Sequence, residues 1–265
     1  MGGSPIGAAE VIVAASRGEA IDAFGDGAGV TVVAGGTIVM PDITHRRRDA
    51  ERVVLIGNAG MSGISSEGGR TVIGAATTLA DLSDAVEPLG TCARRVADIE
   101  IREQATIGGN LCAPPGVESP RGDLQAALLV LDAQVRSTGA DGERTDPVED
   151  VLASIRPRLV LDVSVAEPDA AATATVRRPH AHAYTVMRVC AARVGGEVRL
   201  AVSGAAPHAV RLTAAEAAVA GGADPAAAGE KALEDVTPQD DALASGWYRS
   251  RVLPVLVRDA LTKLG

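Results

Sequence analysis

Two periods run through this chain. Short runs of β-branched and aliphatic residues read as strands: "VTVV" at 30–33, "ERVVLIG" at 51–57, "RTVIGAA" at 70–76, "RPRLVLDVSVAE" at 156–167 and "GEVRLAVSG" at 196–204. Apolar residues spaced three and four apart read as helices. These are "SRGEAIDAF" at 16–24, "TTLADLSDAV" at 77–86, "RVADIEIREQ" at 95–104, the start of "DLQAALLVLDAQVRSTG" at 123–139, "TAAEAAVAGG" at 213–222 and the segment 241–265. Glycine clusters punctuate them. "NAGMSGISSEGG" at 58–69 and all of 106–122 have loop composition, and "AEPDAAATATVRRPH" at 166–180 reads as a linker or an irregular strand. Strands alternating with helices predict an α/β or α+β chain with a lobe boundary near 166–178.

Composition narrows the class. The chain has 265 residues, long enough for two or three lobes. Its only aromatics are Phe24, Tyr184, Trp247 and Tyr248, so Ala, Val and Gly are expected to carry the core. The net charge of -9 disfavours a nucleic-acid partner, because polyphosphate binding needs a basic field. It leaves room for a small phosphate ligand held by backbone amides. Cys92, Cys112 and Cys190 are too scattered for a zinc or iron–sulfur site within this chain, and a sparse odd count fits a reducing, cytoplasmic compartment. No apolar run is long enough to span a membrane, and the N-terminus lacks the basic start of a signal peptide.

Two stretches carry candidate chemistry. "VVAGGT" at 32–37 opens a strand end with glycines, and "ATIGGN" at 105–110 repeats the device. A glycine pair removes Cβ and permits positive φ, so successive amides can cradle an anion. Either loop alone reads equally well as a turn. Together they suggest two anion nests on one diphosphate. No G-x-G-x-x-G stands between a strand and a helix, which disfavours a Rossmann site.

"VVAGGT", "TVIGAATTLADL", "IREQATIGGNLCAP", "RGDLQAALLVLDAQVR" and "DALASGWYRSRVLPVLVRDAL" occur in the order of one family. The chain resembles the FAD-binding (medium) subunit of the molybdenum hydroxylases, the xanthine dehydrogenase and carbon monoxide dehydrogenase group. The resemblance implies an α+β chain with a PCMH-type FAD fold: lobes at 1–60 and 61–168 clasping the flavin, then a small C-terminal lobe at 169–265. It implies that Ala34, Gly35, Gly36, Thr37 and Ile38, with Thr106, Ile107, Gly108, Gly109 and Asn110, bind the FAD diphosphate. Asp123 matches the acidic residue at the adenosine end, and capping of the following helix is its plainer role. The glycines at 108 and 109 are expected to stay free of side chains, with φ > 0 adding strain to any replacement. Thr77 and Thr78 either line the cleft or cap a helix.

The resemblance also implies partners. Electrons would come from a molybdopterin subunit through the [2Fe-2S] clusters of an iron–sulfur subunit and leave from FAD to an acceptor, in an assembly doubled by two-fold symmetry. No catalytic acid or base and no metal ligand is expected in this chain. A free-standing FAD oxidoreductase and a scaffold that has lost FAD are the alternatives. Three places depart from the family's pattern: Glu103 stands where Asn is usual, the stretch before Asp123 is longer, and the basic residue near the flavin ring has no lysine counterpart, only Arg188 and Arg193. His180 and His182 read as a surface or lobe-interface pair, Cys112 as buried beside the cofactor, and Arg46, Arg47 and Arg48 as a solvated loop or a docking patch.

Overall fold

The computed structural model describes residues 9–48, 50–114, 122–154, 157–178 and 185–265. The chain builds three sheets in succession. The first is parallel, in the order β1-β3-β2, from β1 (Glu10–Val13), β2 (Val30–Val33) and β3 (Arg52–Leu55). Helix α1 (Arg17–Phe24) crosses from β1 to β2. Ser16 caps it by accepting from the Glu19 amide, and Gly25 ends it at φ 58°. Helix α2 (Val39–Thr44) follows β2 after the first glycine loop.

The second sheet is antiparallel, in the order β4-β5-β8-β6-β7. Its strands are β4 (Ile64–Glu67), β5 (Arg70–Gly74), β6 (Gln134–Thr138), β7 (Arg144–Pro147) and β8 (Leu159–Ala166). Among the described residues, four short α-helices lie between β5 and β6: α3 (Leu89–Arg94), α4 (Ile99–Arg102), α5 (Ile107–Leu111) and α6 (Gln125–Val130). Helix α7 (Val148–Ala153) lies between β7 and β8. The third sheet, β12-β11-β10-β9, is also antiparallel, from β9 (Ala170–Arg177), β10 (Thr185–Val194), β11 (Glu197–Ser203) and β12 (Val210–Arg211). Helices α8 (Thr213–Ala220), α9 (Pro225–Lys231) and α10 (Gly246–Leu264) cover one of its faces.

Alternation along β10 explains how the third sheet docks. Met187, Val189 and Ala191 point into the core beneath α8, α9 and α10. Cys190 and Ala192 point the other way, into the core shared by the first two sheets and α6. A strand buried on both faces reads as a continuous apolar run with no visible alternation. Every residue of α6 is buried for the same reason. Gln125 joins the layers, its amide donating to the Leu111 carbonyl at 3.0 Å and accepting from the Ala209 amide at 3.1 Å.

Several stretches differ from the sequence expectation. The segment 77–86, read as a helix, forms only a 3-10 turn at Asp81–Asp84, and of 95–104 only Ile99–Arg102 is helical. The segment 58–69, read as a loop, contains the exposed strand β4, which β5 recruits by hairpin pairing. The segment 166–180 contains β9, whose eight-residue ladder with β10 outweighs its alanine-rich, low-propensity composition. Residues 107–111, also read as loop, form α5. Thr106 supplies the cap that a helix with two glycines needs.

Candidate functional site

A cleft of about 440 Å³ opens between the first two sheets. Ala34, Gly35, Gly36, Thr37 and Ile38 line it, as do Thr106, Gly108, Gly109, Asn110 and Asp123. The fold therefore brings both glycine loops to one cavity. Ile107 does not line it. Its side chain is fully buried in the core, and its amide donates to the Thr77 carbonyl at 3.0 Å.

The loops meet through Gly35. A Cβ there would stand 1.7 Å from the carbonyl oxygen of Gln104, so only glycine allows the first loop to lie against the backbone leading into the second. Gly36 holds φ 71°, the left-handed turn that swings the chain from β2 toward α2. The amides of Gly35, Gly36, Thr37 and Ile38 have no acceptor among the described residues. Amides left without a partner on a cavity wall are anion donors in waiting.

The second loop is built differently. Gly108 donates its amide to the Ala75 carbonyl at 2.9 Å, Gly109 to the Thr106 hydroxyl at 3.1 Å and Asn110 to the Thr106 carbonyl at 2.9 Å. Gly108 and Gly109 are helical, and neither adopts positive φ. The expected left-handed strain at these positions is thus absent, because Thr106 starts a helix there instead of a nest. Gly108 is excluded from carrying a side chain by the chain itself, with a Cβ only 2.9 Å from the Ala75 oxygen. A Cβ on Gly109 would meet only the Thr106 hydroxyl, at 3.1 Å. The side-chain Oδ1 of the buried Asn110 accepts from the Leu124 amide at 2.8 Å and so anchors the start of α6.

Asp123 does not cap α6, since the residue in the cap position is Leu124 and no side chain bonds there. Burial holds the Asp123 carboxyl above its usual value, against the pull of Arg188 and Arg177 and a hydrogen bond from Thr185. Arg188 lies fully buried behind it, donating to the Asp123 carbonyl at 3.4 Å and the Thr185 hydroxyl at 3.3 Å. Arg193 donates to the Gly265 carbonyl at 2.9 Å instead. Neither arginine lines the cleft.

Several residues take places the sequence did not indicate. Arg48 lines the cleft, while Arg47 pairs with Asp42 at 3.3 Å and Arg46 is exposed at φ 55°. The three-arginine run thus divides its roles. Leu159, Val160 and Arg158 form another wall. Arg158 is committed to Ser137 and Gly142 by bonds of 2.8 and 2.7 Å and to Asp141 by an ion pair. Nothing in a strand's apolar run marks which residue will face a cavity. Cys112, expected to be buried, is exposed on the cleft wall because it falls at the C-cap of the short α5. Thr77 is buried and exchanges hydrogen bonds with Gly63, and Thr78 caps the turn at Asp81, so neither lines the cleft. Glu103 is exposed at the end of α4. His180 and His182 fall outside the described residues. Among the described residues no cluster of side chains could hold a metal, and no helix is long and apolar enough to cross a membrane.

A family profile described as "FAD binding domain in molybdopterin dehydrogenase" matches residues 7–165, and one described as "CO dehydrogenase flavoprotein C-terminal domain" matches residues 170–264. The 6-hydroxypseudooxynicotine dehydrogenase complex subunit alpha of Paenarthrobacter nicotinovorans is 27% identical over 96% of this chain and 93% of its own length. The carbon monoxide dehydrogenase medium chain of Hydrogenophaga pseudoflava is 32% identical over 51% of this chain and 48% of its own. A solved carbon monoxide dehydrogenase from Hydrogenophaga pseudoflava, in a form lacking the Mo-pyranopterin moiety, superposes with a TM-score of 0.83 at 25% identity, covering 97% of this chain and 96% of that one.

Proposed function

Because the chain belongs to the family of FAD-binding domains of molybdopterin dehydrogenases, we propose that it is the flavoprotein subunit of a multi-subunit molybdenum hydroxylase. Its role is to receive electrons from the iron–sulfur clusters of one partner, fed by a molybdopterin subunit, and to release them to an external acceptor. The matched C-terminal domain and the full-length likeness to a dehydrogenase complex subunit support this over a free-standing oxidase. The retained glycine loops oppose a scaffold that has lost its cofactor. The three free cysteines support a cytoplasmic setting. The lobes are assigned to 1–60, 61–168 and 169–265, and the assembly is doubled by a two-fold axis.

One observation carries the cofactor assignment: Gly35, Gly36, Thr37 and Ile38, whose amides have no acceptor among the described residues, line the cleft that Gly108 and Gly109 complete. These residues fit a diphosphate. The first loop donates the hydrogen bonds, and Arg48 adds positive charge at the wall. Thr106, Gly108, Gly109 and Asn110 form a rigid floor whose backbone is already satisfied, so it contributes shape. Asp123 offers an acceptor for ribose hydroxyls at the adenosine end. Leu159, Val160 and Ile101 give the cleft apolar walls that would shield a bound cofactor from water. FAD supplies the redox chemistry, and this chain supplies binding, orientation and electrostatic tuning.

The visible spectrum of the purified chain tests this reading. Bound FAD gives absorbance that acid precipitation releases into the supernatant, as expected for non-covalent binding. Gly109→Val should lose the flavin while the circular dichroism stays that of the wild type. A colourless protein that cannot be reconstituted, or a Gly109→Val variant that holds FAD as tightly as wild type, overturns the site. Co-purification from the native host under mild salt tests the subunit role. Elution alone, with turnover of a small substrate, would replace it by the free-standing enzyme.

A further inference from the structure

Two thiols with no part in the cleft meet across the seam between the second and third sheets. Cys92 lies on α3, Cys190 on β10, and their sulfurs are 3.6 Å apart despite a separation of 98 residues in sequence. Both are fully buried. The alternation along β10 puts Arg188 and Cys190 on the face that looks into the cleft-bearing lobe. The Arg188 guanidinium is fully buried there, and its Nε has no hydrogen-bond partner among the described residues. Two sulfurs in contact beside an enclosed positive charge differ from two cysteines used as small core fillers. The charge favours the thiolate, the form that reacts. Contact with Cys190 and then the nearby Arg188 hold the Cys92 thiol below its usual value, against burial.

We propose that Cys92 and Cys190 are a redox modification site, at which a peroxide converts the two thiols into one reversible disulfide that staples the cleft-bearing lobe to the C-terminal sheet. The Cys92 sulfur attacks one peroxide oxygen, the O–O bond breaks, and water leaves a sulfenic acid on Cys92. The Cys190 sulfur then displaces that oxygen as a second water, and the S–S bond forms. Both sulfurs together lose two electrons, hydrogen peroxide gains them, and the thiol protons leave in the two waters. A cytosolic disulfide of this kind is transient and regulatory. The sulfurs need to close from 3.6 Å to about 2.05 Å. That closure draws α3 toward β10. Asp123 is bonded to Arg188 on the same seam, so the staple also fixes one wall of the cleft.

Peptide mapping decides the matter. The flavin-loaded protein is exposed to hydrogen peroxide, unfolded in an alkylating reagent and digested. The expected product is a Cys92–Cys190 cross-linked peptide, lighter than the two free peptides by two hydrogens and lost on treatment with dithiothreitol. It forms in Cys112→Ser but not in Cys92→Ser or Cys190→Ala. The melting temperature of the oxidised wild type rises by several degrees and falls back on reduction, because a long closed loop restricts the unfolded chain. If Cys92 and Cys190 both alkylate as free thiols after a dose that has converted the exposed Met40 to its sulfoxide, the proposal is wrong. It is equally wrong if the only disulfides found join two copies through Cys112. Both readings come from the wild type, so a variant that fails to fold does not rescue the idea.

Discussion

The loop at 34–38 and the loop at 106–110 look alike in sequence and use their backbones in opposite ways. Each has a glycine pair at a break in the pattern. In the first loop, Gly35 to Ile38 line the cleft with amides that have no acceptor among the described residues. In the second, every amide from Ile107 to Asn110 is bonded within the chain, through Thr77, Ala75 and Thr106. The first loop is a donor surface and the second a braced floor. The difference comes from Thr106, whose hydroxyl nucleates α5, whereas Ile38 at the start of α2 has no side chain able to cap. A glycine pair therefore marks a place where backbone comes close to something. Whether that is a ligand or another strand of the same chain depends on the neighbours.

The most disruptive way to break the comparison is Gly35→Ala. Its methyl group would sit 1.7 Å from the Gln104 carbonyl, so the loops must separate. We expect a loss of about 3 kcal/mol by chemical denaturation, as for a severe overpacking change, together with complete loss of bound flavin. Asn110→Ala comes next. It leaves the Leu124 amide unsatisfied at a buried site and should cost about 2 kcal/mol. FAD affinity should fall only in step with stability. A variant of wild-type stability that has lost FAD would instead make Asn110 a direct ligand.

Amide-to-ester replacement sharpens the contrast, because it deletes one N–H without altering the side chain. At Gly108 the ester removes a bond to Ala75, so the apoprotein should lose about 1 kcal/mol. At Thr37 it removes an amide that has no acceptor among the described residues. The apoprotein should keep its stability while the dissociation constant for FAD rises about tenfold, the worth of one charge-assisted bond. Equal effects at the two positions would erase the distinction between donor surface and floor. The smallest effect is one of pH. Burial raises the Asp123 carboxyl above its unfolded value. Its contribution is therefore fully present below the ordinary aspartate range and is lost as pH rises through the folded value. Asp123→Asn should flatten that part of the stability–pH curve for the apoprotein, measured by thermal melts across the acid range.

Periodicity by itself located much of the scaffold. The runs "VTVV", "RVVL", "RTVIG" and "LVLDVSVA" became β2, β3, β5 and β8, and helices α1, α8 and α10 follow their apolar spacing. Local rules suffice there, because a half-buried strand or an amphipathic helix writes its burial into its own sequence. The glycine loops were legible as special backbone for the same reason. What each loop does was settled only by contacts between distant residues: Gly35 against Gln104, Gly108 against Ala75 and Asn110 with Leu124. The doubly buried β10 hid its alternation, so no pattern marked Arg188 and Cys190 as facing the cleft-bearing lobe while Val189 faces the C-terminal helices. Arg48 on the cleft wall and the Cys92–Cys190 contact belong to the same class. Side-chain pattern encodes which residues leave water. It does not encode which surface they meet, and that pairing is decided only when the sheets stack.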